Sequence, residues 1–286
     1  MRYIDLFAGS GGLSLGLYNA GLHGIFAIEK NKDAFSTLKY NLIERRNHFS
    51  WPNWLEMKNW DINQLLEIHS KELATLNGSV DLVVGGPPCQ GFSMAGKRKN
   101  DDIRNQLMHS YIEFIKLVKP TMLFFENVQG FTVEFKDHKD KKKYSDILVS
   151  ELHKLGYNLD YKIVTMSEYG VPQNRKRFIL FASKNGAYEI FFEELFKNKE
   201  CFLKDRGLKI PITISRAIND LKKSHGEVDS KDTKAFKNGK YGRATSAYQK
   251  LMRNNIERGA FPDSHRFAKH KSETIDLFKR LMTASE

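Results

Sequence analysis

Residues 2–13 read RYIDLFAGSGGL, in which an apolar strand runs directly into a glycine-rich loop. Residues 2–7 have the composition of a buried strand, and residues 13–20 have the apolar periodicity of a helix. Glycines between a strand and a helix allow a tight turn, and the amides of the helix N-terminus then point towards a ligand. By itself, such a loop is compatible with a nucleotide-like cofactor or with a plain turn.

The alternation of strands and helices continues along the first 183 residues. Further strands are predicted at residues 24–28, 80–84, 122–125, 159–165 and 177–182, and further helices at residues 33–43, 107–118 and 144–155. Alternation with short connections predicts an α/β fold with a doubly wound, mostly parallel sheet. The pattern weakens afterwards, so we predict a first domain over residues 1–183 and a basic, less regular region over residues 184–286.

The composition is that of a globular chain with an excess of basic residues. Hydrophobic residues make up 41% of the 286 residues, and the formal net charge is +12. Residues 197–286 contain 21 Lys and Arg against 11 Asp and Glu, which suits nucleic acid but also a solvated basic surface. No apolar run approaches the roughly 20 residues of a membrane span, and the N-terminus does not resemble a signal peptide. We therefore expect a cytoplasmic protein without membrane contact.

Three acidic residues narrow the choice of ligand for the glycine loop. Glu29 lies at the end of the second predicted strand, where a carboxylate can accept hydrogen bonds from ribose hydroxyls. Asp61 is expected after the third strand and could accept from an exocyclic amine. Asp5, at the entrance of the loop, would repel the pyrophosphate of a dinucleotide. The loop therefore favours a sulfonium cofactor with an adenosine body.

Of the two cysteines, Cys89 has the surroundings of a nucleophile. It lies in the segment GGPPCQGFS, residues 85–93, directly after an apolar strand. Two prolines make a stiff loop at the carboxyl edge of the sheet, where open α/β sheets bind their ligands. Stiffness holds the sulfur in place relative to its target, and the thiolate is the reactive form. Cys201 has no such frame, so we assign it to packing, and two thiols alone predict no metal site.

Four segments, in this order, resemble the motifs of the DNA (cytosine-5) methyltransferase family of the bacterial modification type. They are DLFAGSGG at residues 5–12, GPPCQGFS at 86–93, ENV at 126–128 and QNRKR at 173–177. The resemblance covers residues 2–183. It implies a sheet of the S-adenosylmethionine-dependent methyltransferase type, S-adenosyl-L-methionine as cofactor, double-stranded DNA as partner and a restriction–modification setting.

The resemblance also implies catalytic roles. Cys89 would bond to C6 of a flipped-out cytosine, and Glu126, with a pKa raised by its pocket, would share a proton with N3. Arg177 would hold O2, and Arg175 would support the loop or a nearby phosphate.

Two binding sets follow from the same resemblance. The implied cofactor-binding residues are Phe7, Gly9, Gly11, Glu29, Asp61, Ile62, Pro88 and Leu107. The implied DNA-binding residues are Gln90, Ser93, Lys97, Arg98 and Lys99. The last three belong to the loop that closes over the DNA in this family, which would bring positive charge to the phosphates.

The chain departs from the family pattern at two points. Lys30 stands where the family often has an aromatic or apolar residue beside the adenine, although its aliphatic stem can still cover the ring. The chain also contains no Gly-Asn dipeptide, which the last motif of the family includes. We therefore expect a split enzyme, whose second polypeptide carries target recognition and the last motif, or a truncated chain. A transfer-RNA cytosine-5 methyltransferase and a non-catalytic DNA- or partner-binding module remain alternatives.

Overall fold

The computed structural model describes residues 1–88, 103–133, 143–230, 235–254, 256, 259–262 and 265–283. The chain divides into two compact units. The first comprises Met1–Met166 and Arg175–Asn198, and the second comprises Ser167–Asn174 and Lys199–Glu286.

A six-stranded sheet forms the centre of the first unit. Its strands are β1 (Arg2–Leu6), β2 (His23–Ile28), β3 (Leu82–Gly85), β4 (Met122–Val128), β5 (Asn158–Thr165) and β6 (Lys176–Ser183). They lie in the order β2-β1-β3-β4-β6-β5. Only β6 runs against its neighbours, pairing antiparallel with β4 and β5, whereas the other pairs are parallel. The predicted α/β fold with a mostly parallel sheet is confirmed.

Six α-helices accompany the sheet within the described part of this unit. They are α1 (Gly12–Asn19), α2 (Lys32–Leu38), α3 (Ile62–Thr75), α4 (Ile103–Val118), α5 (Tyr144–Lys154) and α6 (Tyr188–Lys197). The helix predicted over residues 33–43 is divided, because α2 passes into a π-helical segment, Lys39–Glu44. The sequence patterns indicated neither α3 nor α6.

Helices cover both faces of the sheet, as the two sides of β1 show. Ile4 and Leu6 belong to the main apolar core together with Leu65 of α3. Asp5 instead accepts a hydrogen bond of 2.5 Å from the hydroxyl of Ser14 in α1. Because successive side chains of a strand point to opposite faces, α1 and α3 lie on opposite sides of the sheet.

The first unit extends beyond the predicted boundary at residue 183. The ring of Phe191, in α6, stacks on Phe181 of β6 with centroids 4.2 Å apart and an interplanar angle of 11°. It also meets Phe124 of β4 edge-on at 6.1 Å, and the adjacent Phe192 is buried. These aromatic contacts attach α6 to the sheet, so the boundary between the units falls after Asn198.

The second unit consists of short elements. They are α7 (Lys199–Asp205), α8 (Ile214–Ile218), α9 (Ala247–Met252), α10 (Ser272–Thr283) and the antiparallel strands β7 (Glu227–Asp229) and β8 (Lys237–Gly239). An ion pair between the buried Asp220 and the partly exposed Arg253 lies among them. The guanidinium of Arg253 also donates to the Gly242 carbonyl at 3.0 Å and lies 3.9 Å from the Tyr241 ring centroid. Polar contacts thus hold together a region with few long helices or strands.

Candidate active site

The sheet has a topological switch point between the neighbouring strands β1 and β3. The chain passes from β1 to β2 on one side and later enters β3 and β4 on the other. Such a switch point leaves a crevice at the carboxyl ends of the strands. A cavity of about 290 Å³ lies there, and it is lined by Phe7, Gly9, Ile28, Glu29, Lys30, Trp60, Asp61, Ile62, Gly86, Pro88 and Leu107. The lining includes every residue predicted for the cofactor except Gly11.

Glu29 is held at the end of β2 by two main-chain amides. The amide of Gly9 donates to Oε2 at 2.8 Å, and the amide of Asn31 donates to Oε1 at 2.6 Å. The loop before Gly9 turns sharply, because Phe7 has a φ of 59° and Gly9 a φ of 56°. A positive φ is uncommon for a bulky residue such as Phe7 and is often found at functional sites. The glycine loop and Glu29 therefore form one hydrogen-bonded unit.

Gly11 has a packing role rather than a place in the cavity lining. It precedes α1 with a φ of 86°. A Cβ atom at Gly11 would lie 2.7 Å from Cδ1 of Leu42 and 3.2 Å from Cγ of Leu38. Glycine is needed here because of the close packing of these leucines and because of its left-handed backbone conformation.

Asp5 is a buried carboxyl group close to the glycine loop. Burial raises its pKa to about 7, against the opposing effect of the hydrogen bond from Ser14, and the charge of Glu29 raises it further. Its Oδ2 is the acceptor for Ser14, whereas Oδ1 has no hydrogen-bond partner among the residues that the structure describes. The carboxyl group thus titrates close to neutral pH.

Asp61 lies at the start of a helix, and not after the third strand as predicted. It is the N-cap of α3, where Oδ1 accepts a hydrogen bond of 2.8 Å from the amide of Asn63. The third strand, β3, follows α3 in the chain. Trp60 links this segment to the second strand, since its amide donates to the Glu29 carbonyl at 2.9 Å. Asp61 reaches the cavity because this bond brings the start of α3 to the end of β2.

Lys30 forms an ion pair with Asp61 at the cavity, with 2.7 Å between Nζ and Oδ2. Burial opposes ionisation of Asp61, but hydrogen bonds from Lys30 and from the amides of Asn63 and Gln64 outweigh it, and the pKa of the carboxyl is lowered. The bond to Asp61 raises the pKa of Lys30. Both groups are therefore charged at neutral pH.

The glycines at the end of β3 permit close contacts between strands. A Cβ atom at Gly85 would lie 1.9 Å from the Leu6 carbonyl oxygen, and one at Gly86 would lie 2.0 Å from the Glu126 carbonyl oxygen. No side chain fits at either position, because the obstructing atoms belong to the main chain. The segment that leads to Cys89 therefore starts in close main-chain contact with β1 and β4.

Asn127 is a positioning residue that the sequence interpretation missed. Its side chain is buried, and Nδ2 donates to the Pro87 carbonyl at 3.1 Å. Its Oδ1 accepts from the amide of Val128 at 2.9 Å. The buried side-chain amide thus bonds to one acceptor and one donor of the main chain, and these bonds orient the loop that follows β3. The feature of the sequence that could have indicated Asn127 is its position directly after Glu126 in the ENV motif.

Glu126 and Arg177 lie side by side on neighbouring strands. Glu126 pairs with Ile179 in the β4–β6 register, so Arg177, two residues from Ile179, points to the same face. Nε of Arg177 is 2.5 Å from Oε1 of Glu126. Burial raises the pKa of Glu126, and the charge of Arg175, an exposed residue, opposes that rise. Glu126 lies within β4 rather than after it, since pairing with β6 continues to Val128.

Several predicted site residues lie outside the described residues. They are Cys89, Gln90, Ser93, Lys97, Arg98 and Lys99. The described chain reaches Pro88, the residue before the predicted nucleophile. The other cysteine, Cys201, is exposed, so its assignment to packing was wrong. Its Sγ lies 3.6 Å from Oδ2 of Asp205, one helical turn further along α7.

The ranges that the structure describes hold neither a metal-ligand cluster nor a membrane-spanning helix. These ranges contain no group of three or more His, Cys, Asp or Glu side chains arranged to hold a metal ion. No helix within them combines the length and apolar character required to cross a membrane.

The mostly parallel α/β sheet is the fold of the S-adenosylmethionine-dependent methyltransferases. The model of the C-5 cytosine-specific DNA methylase family matches residues 1–285, and the chain belongs to this family. The family predicted from the four motifs is thereby confirmed.

Two curated relatives and one solved structure illustrate the similarity. The type II methyltransferase M.XorII of Xanthomonas oryzae is 34% identical over 189 residues, 64% of this chain and 40% of the relative. M1.HphI of Haemophilus parahaemolyticus is 34% identical over 197 residues, 68% of this chain and 48% of the relative. A prophage protein of E. coli, described as a DNA modification methyltransferase, has a TM-score of 0.57 and 26% identity over 88% of this chain and 64% of its own. The chain thus spans less than half the length of these curated relatives.

Proposed function

We propose that this chain is the catalytic part of a DNA cytosine-5 methyltransferase. It transfers a methyl group from S-adenosyl-L-methionine to C5 of a flipped-out cytosine, with Cys89 as the nucleophile. The observation that carries the proposal is the cavity at the strand switch point, whose lining includes Pro88, the residue before Cys89, and every residue expected for the cofactor except Gly11. Gly86 belongs to the same lining and abuts the Glu126 carbonyl, so the cofactor cavity and the catalytic acid are neighbours.

The cavity suits an adenosine cofactor that carries no phosphate. Its volume of about 290 Å³ is close to the lower end of the roughly 300–1,000 Å³ of ligand pockets. Glu29 and Asp61 would repel phosphate groups, whereas their oxygens can accept from ribose hydroxyls and from an exocyclic amine. Phe7, Ile62 and Leu107 offer apolar contacts. When bound, S-adenosylmethionine supplies a methyl group on a positively charged sulfur.

The covalent step would be made by Cys89 together with two groups of the β4–β6 pair. The thiolate forms a bond to C6 of the cytosine, and the electron pair of the C5–C6 double bond moves towards C5 and N3. Glu126 donates a proton to N3, and Arg177 stabilises the charge on O2. Later loss of the C5 proton and cleavage of the carbon–sulfur bond return the free cysteine.

The raised pKa of Glu126 supports its role as an acid. A carboxyl group that keeps its proton closer to neutral pH can donate it to the base. Arg177 is buried and already lies against Glu126, which favours one orientation of the two side chains. Arg175, which is exposed and directly precedes β6, would reach a phosphate.

The target base must leave the duplex, because C5 and C6 are inaccessible to a thiolate within stacked base pairs. Gln90 and Ser93 would contact the DNA beside the flipped base. Lys97, Arg98 and Lys99 would contact phosphates, which position the protein without reading sequence. The basic excess of residues 197–286 would add to this attraction.

Covalent trapping tests the proposal. The full chain is incubated with S-adenosylmethionine and a mixed-sequence duplex that contains 5-fluorocytosine, because fluorine at C5 prevents release of the cysteine. We expect a denaturant-resistant adduct from the wild type and none from Cys89→Ser. The matched control is Cys201→Ser, which removes the other cysteine and should leave the adduct intact. An adduct that survives Cys89→Ser would assign the nucleophile elsewhere.

Transfer of labelled methyl groups identifies the substrate. Since the chain spans less than half the length of the two curated relatives described above, it is assayed alone and with the product of a neighbouring reading frame. Activity that requires the second polypeptide would indicate a split enzyme. Transfer to transfer RNA instead of DNA would favour the alternative activity. Cofactor binding without any transfer would favour a non-catalytic binding module.

A further inference from the structure

Lys30 is the basic residue in the described lining of the cofactor cavity, and it reaches across to Asp61. Its side chain leaves the end of β2, and Nζ meets Oδ2 of Asp61 at the start of α3. The Lys30 side chain is 78% exposed, whereas that of Asp61 is 16% exposed. The main chain of Lys30 is held, because Nδ2 of Asn59 donates to its carbonyl at 2.9 Å. The ammonium group can therefore leave Asp61 for water without a change in the main chain.

Both oxygens of Asp61 already have partners. Oδ1 accepts the amide of Asn63 as the N-cap of α3, and Oδ2 accepts the ammonium of Lys30. An N-cap bond stabilises the start of a helix, whereas an ion pair with an exposed partner contributes little. A donor that approaches Asp61 from the cavity would therefore displace the ammonium rather than the amide.

We propose that Lys30 competes with the bound cofactor for Asp61 and so lowers the affinity of the cavity for adenosine ligands. The proposal rests on the proposed function, in which the exocyclic amine of the cofactor donates to Asp61. The competition has a moderate effect, because the ammonium regains its hydration when it is displaced. Lys30 is thus a residue that adjusts cofactor affinity and takes no part in methyl transfer.

Calorimetric binding of S-adenosylhomocysteine to the full chain tests this proposal. This ligand has the adenosine body but no transferable methyl group, so turnover does not disturb the measurement. Lys30→Met removes the charge and keeps an unbranched stem, and we expect its Kd to fall by roughly two- to fivefold. Lys30→Arg is the matched control. It retains a cation that can pair with Asp61, and its Kd should remain at the wild-type value.

A second pair of variants shows whether the effect passes through Asp61. Asn is as good an N-cap as Asp, so Asp61→Asn should retain the start of α3 while it loses the attraction for an ammonium group. In that background, Lys30→Met should leave the Kd unchanged, which is the coupling expected for two residues that interact directly. Circular dichroism confirms that each variant is folded.

The outcomes separate this proposal from the proposed function. Tighter binding by Lys30→Met alone, abolished in the Asp61→Asn background, supports the competition. An unchanged or weaker affinity of Lys30→Met overturns it, because the ammonium would then be neutral or favourable for binding, while the cofactor assignment stands. Folded proteins that all fail to bind S-adenosylhomocysteine would overturn both.

Discussion

Asp5 illustrates how a single buried group can make stability depend on pH. The side chain is almost fully buried, at 1% exposure, and its pKa is about 7 instead of the ordinary 3.8. Between these two values the folded chain holds a proton that the unfolded chain has lost. The stability contributed by the protonated carboxyl is therefore present below about pH 4, falls as the pH rises towards 7, and stays low above that.

We predict that Asp5→Asn removes this dependence. The amide oxygen can still accept the bond from Ser14, and no proton is exchanged. The gain in unfolding free energy should be larger at pH 8 than at pH 5 by roughly 3 kcal/mol. Urea unfolding of both proteins at the two pH values measures it. The same gain at both values would mean that Asp5 does not titrate in this range.

Lys30 shows a different effect at the scale of one residue. The sequence identified it as a departure beside the adenine, and its aliphatic stem was expected to cover the ring. The structure adds that its ammonium group pairs with Asp61. The presence of Lys30, where the family often has an aromatic or apolar residue, thus affects the hydrogen-bonding capacity of the cavity as well as its packing.

At the scale of elements, the end of β3 is shaped by its neighbours β1 and β4. Gly85 and Gly86 allow main-chain contacts, and Asn127 in β4 secures the Pro87 carbonyl. A hydrogen bond from a central strand to the loop that leads to Cys89 limits the movement of that loop. The loop that its two prolines predict to be stiff is thus also held by a hydrogen bond from Asn127.

We predict that Asn127→Asp impairs methyl transfer more than cofactor binding. The carboxylate can still accept from the Val128 amide, but it has no hydrogen to donate to Pro87, and the two oxygens repel each other. We expect kcat to fall by about tenfold or more, since misplacement of reacting groups by about 1 Å can cost about 10²-fold. The Kd for S-adenosylhomocysteine should change less than about threefold. Equal losses in both quantities would indicate general unfolding instead.

On the scale of the whole molecule, the two units are stabilised in different ways. The first unit has a continuous apolar core around its sheet. The second depends on polar contacts, which include the ion pair of the buried Asp220 with the partly exposed Arg253 and the side-chain caps of short helices. Arg253 is consequently engaged within the protein and does not belong to the basic surface available to a polyanion.

We predict that Arg253→Met destabilises the second unit selectively. It leaves the buried carboxylate of Asp220 without its cation, which typically costs about 3–5 kcal/mol. Amide hydrogen exchange should rise around α8 and α9, while the exchange of β1 and β3 and the binding of S-adenosylhomocysteine remain near wild type. Adding Asp220→Asn should restore part of the protection. A loss of protection that extends equally through the sheet would contradict two separately stabilised units.

The patterns of the sequence predicted much of the first unit. Apolar runs indicated its six strands, and helical periodicity indicated α1, α2, α4 and α5, because buried strands and amphipathic helices impose local regularities. The family resemblance also indicated most residues that line the cavity, although it missed Ile28, Trp60 and Gly86 and included Gly11, which does not line it. The interpretation failed at α6, whose attachment depends on Phe191 finding Phe181 and Phe124, and at Asp61, whose place depends on the start of α3.

The sequence by itself determined the family, the succession of strands along the chain and the chemical groups available to the site, because these follow from local patterns and motif residues. Only the tertiary structure decided that Lys30 pairs with Asp61, that Asn127 reaches Pro87 and that α6 belongs to the first unit. The partners of these contacts are distant in the chain, and nothing in the local sequence of either partner specifies the other. They meet because the sheet and its connections bring the ends of β2, β3 and β4 together, and close packing then selects which side chains touch.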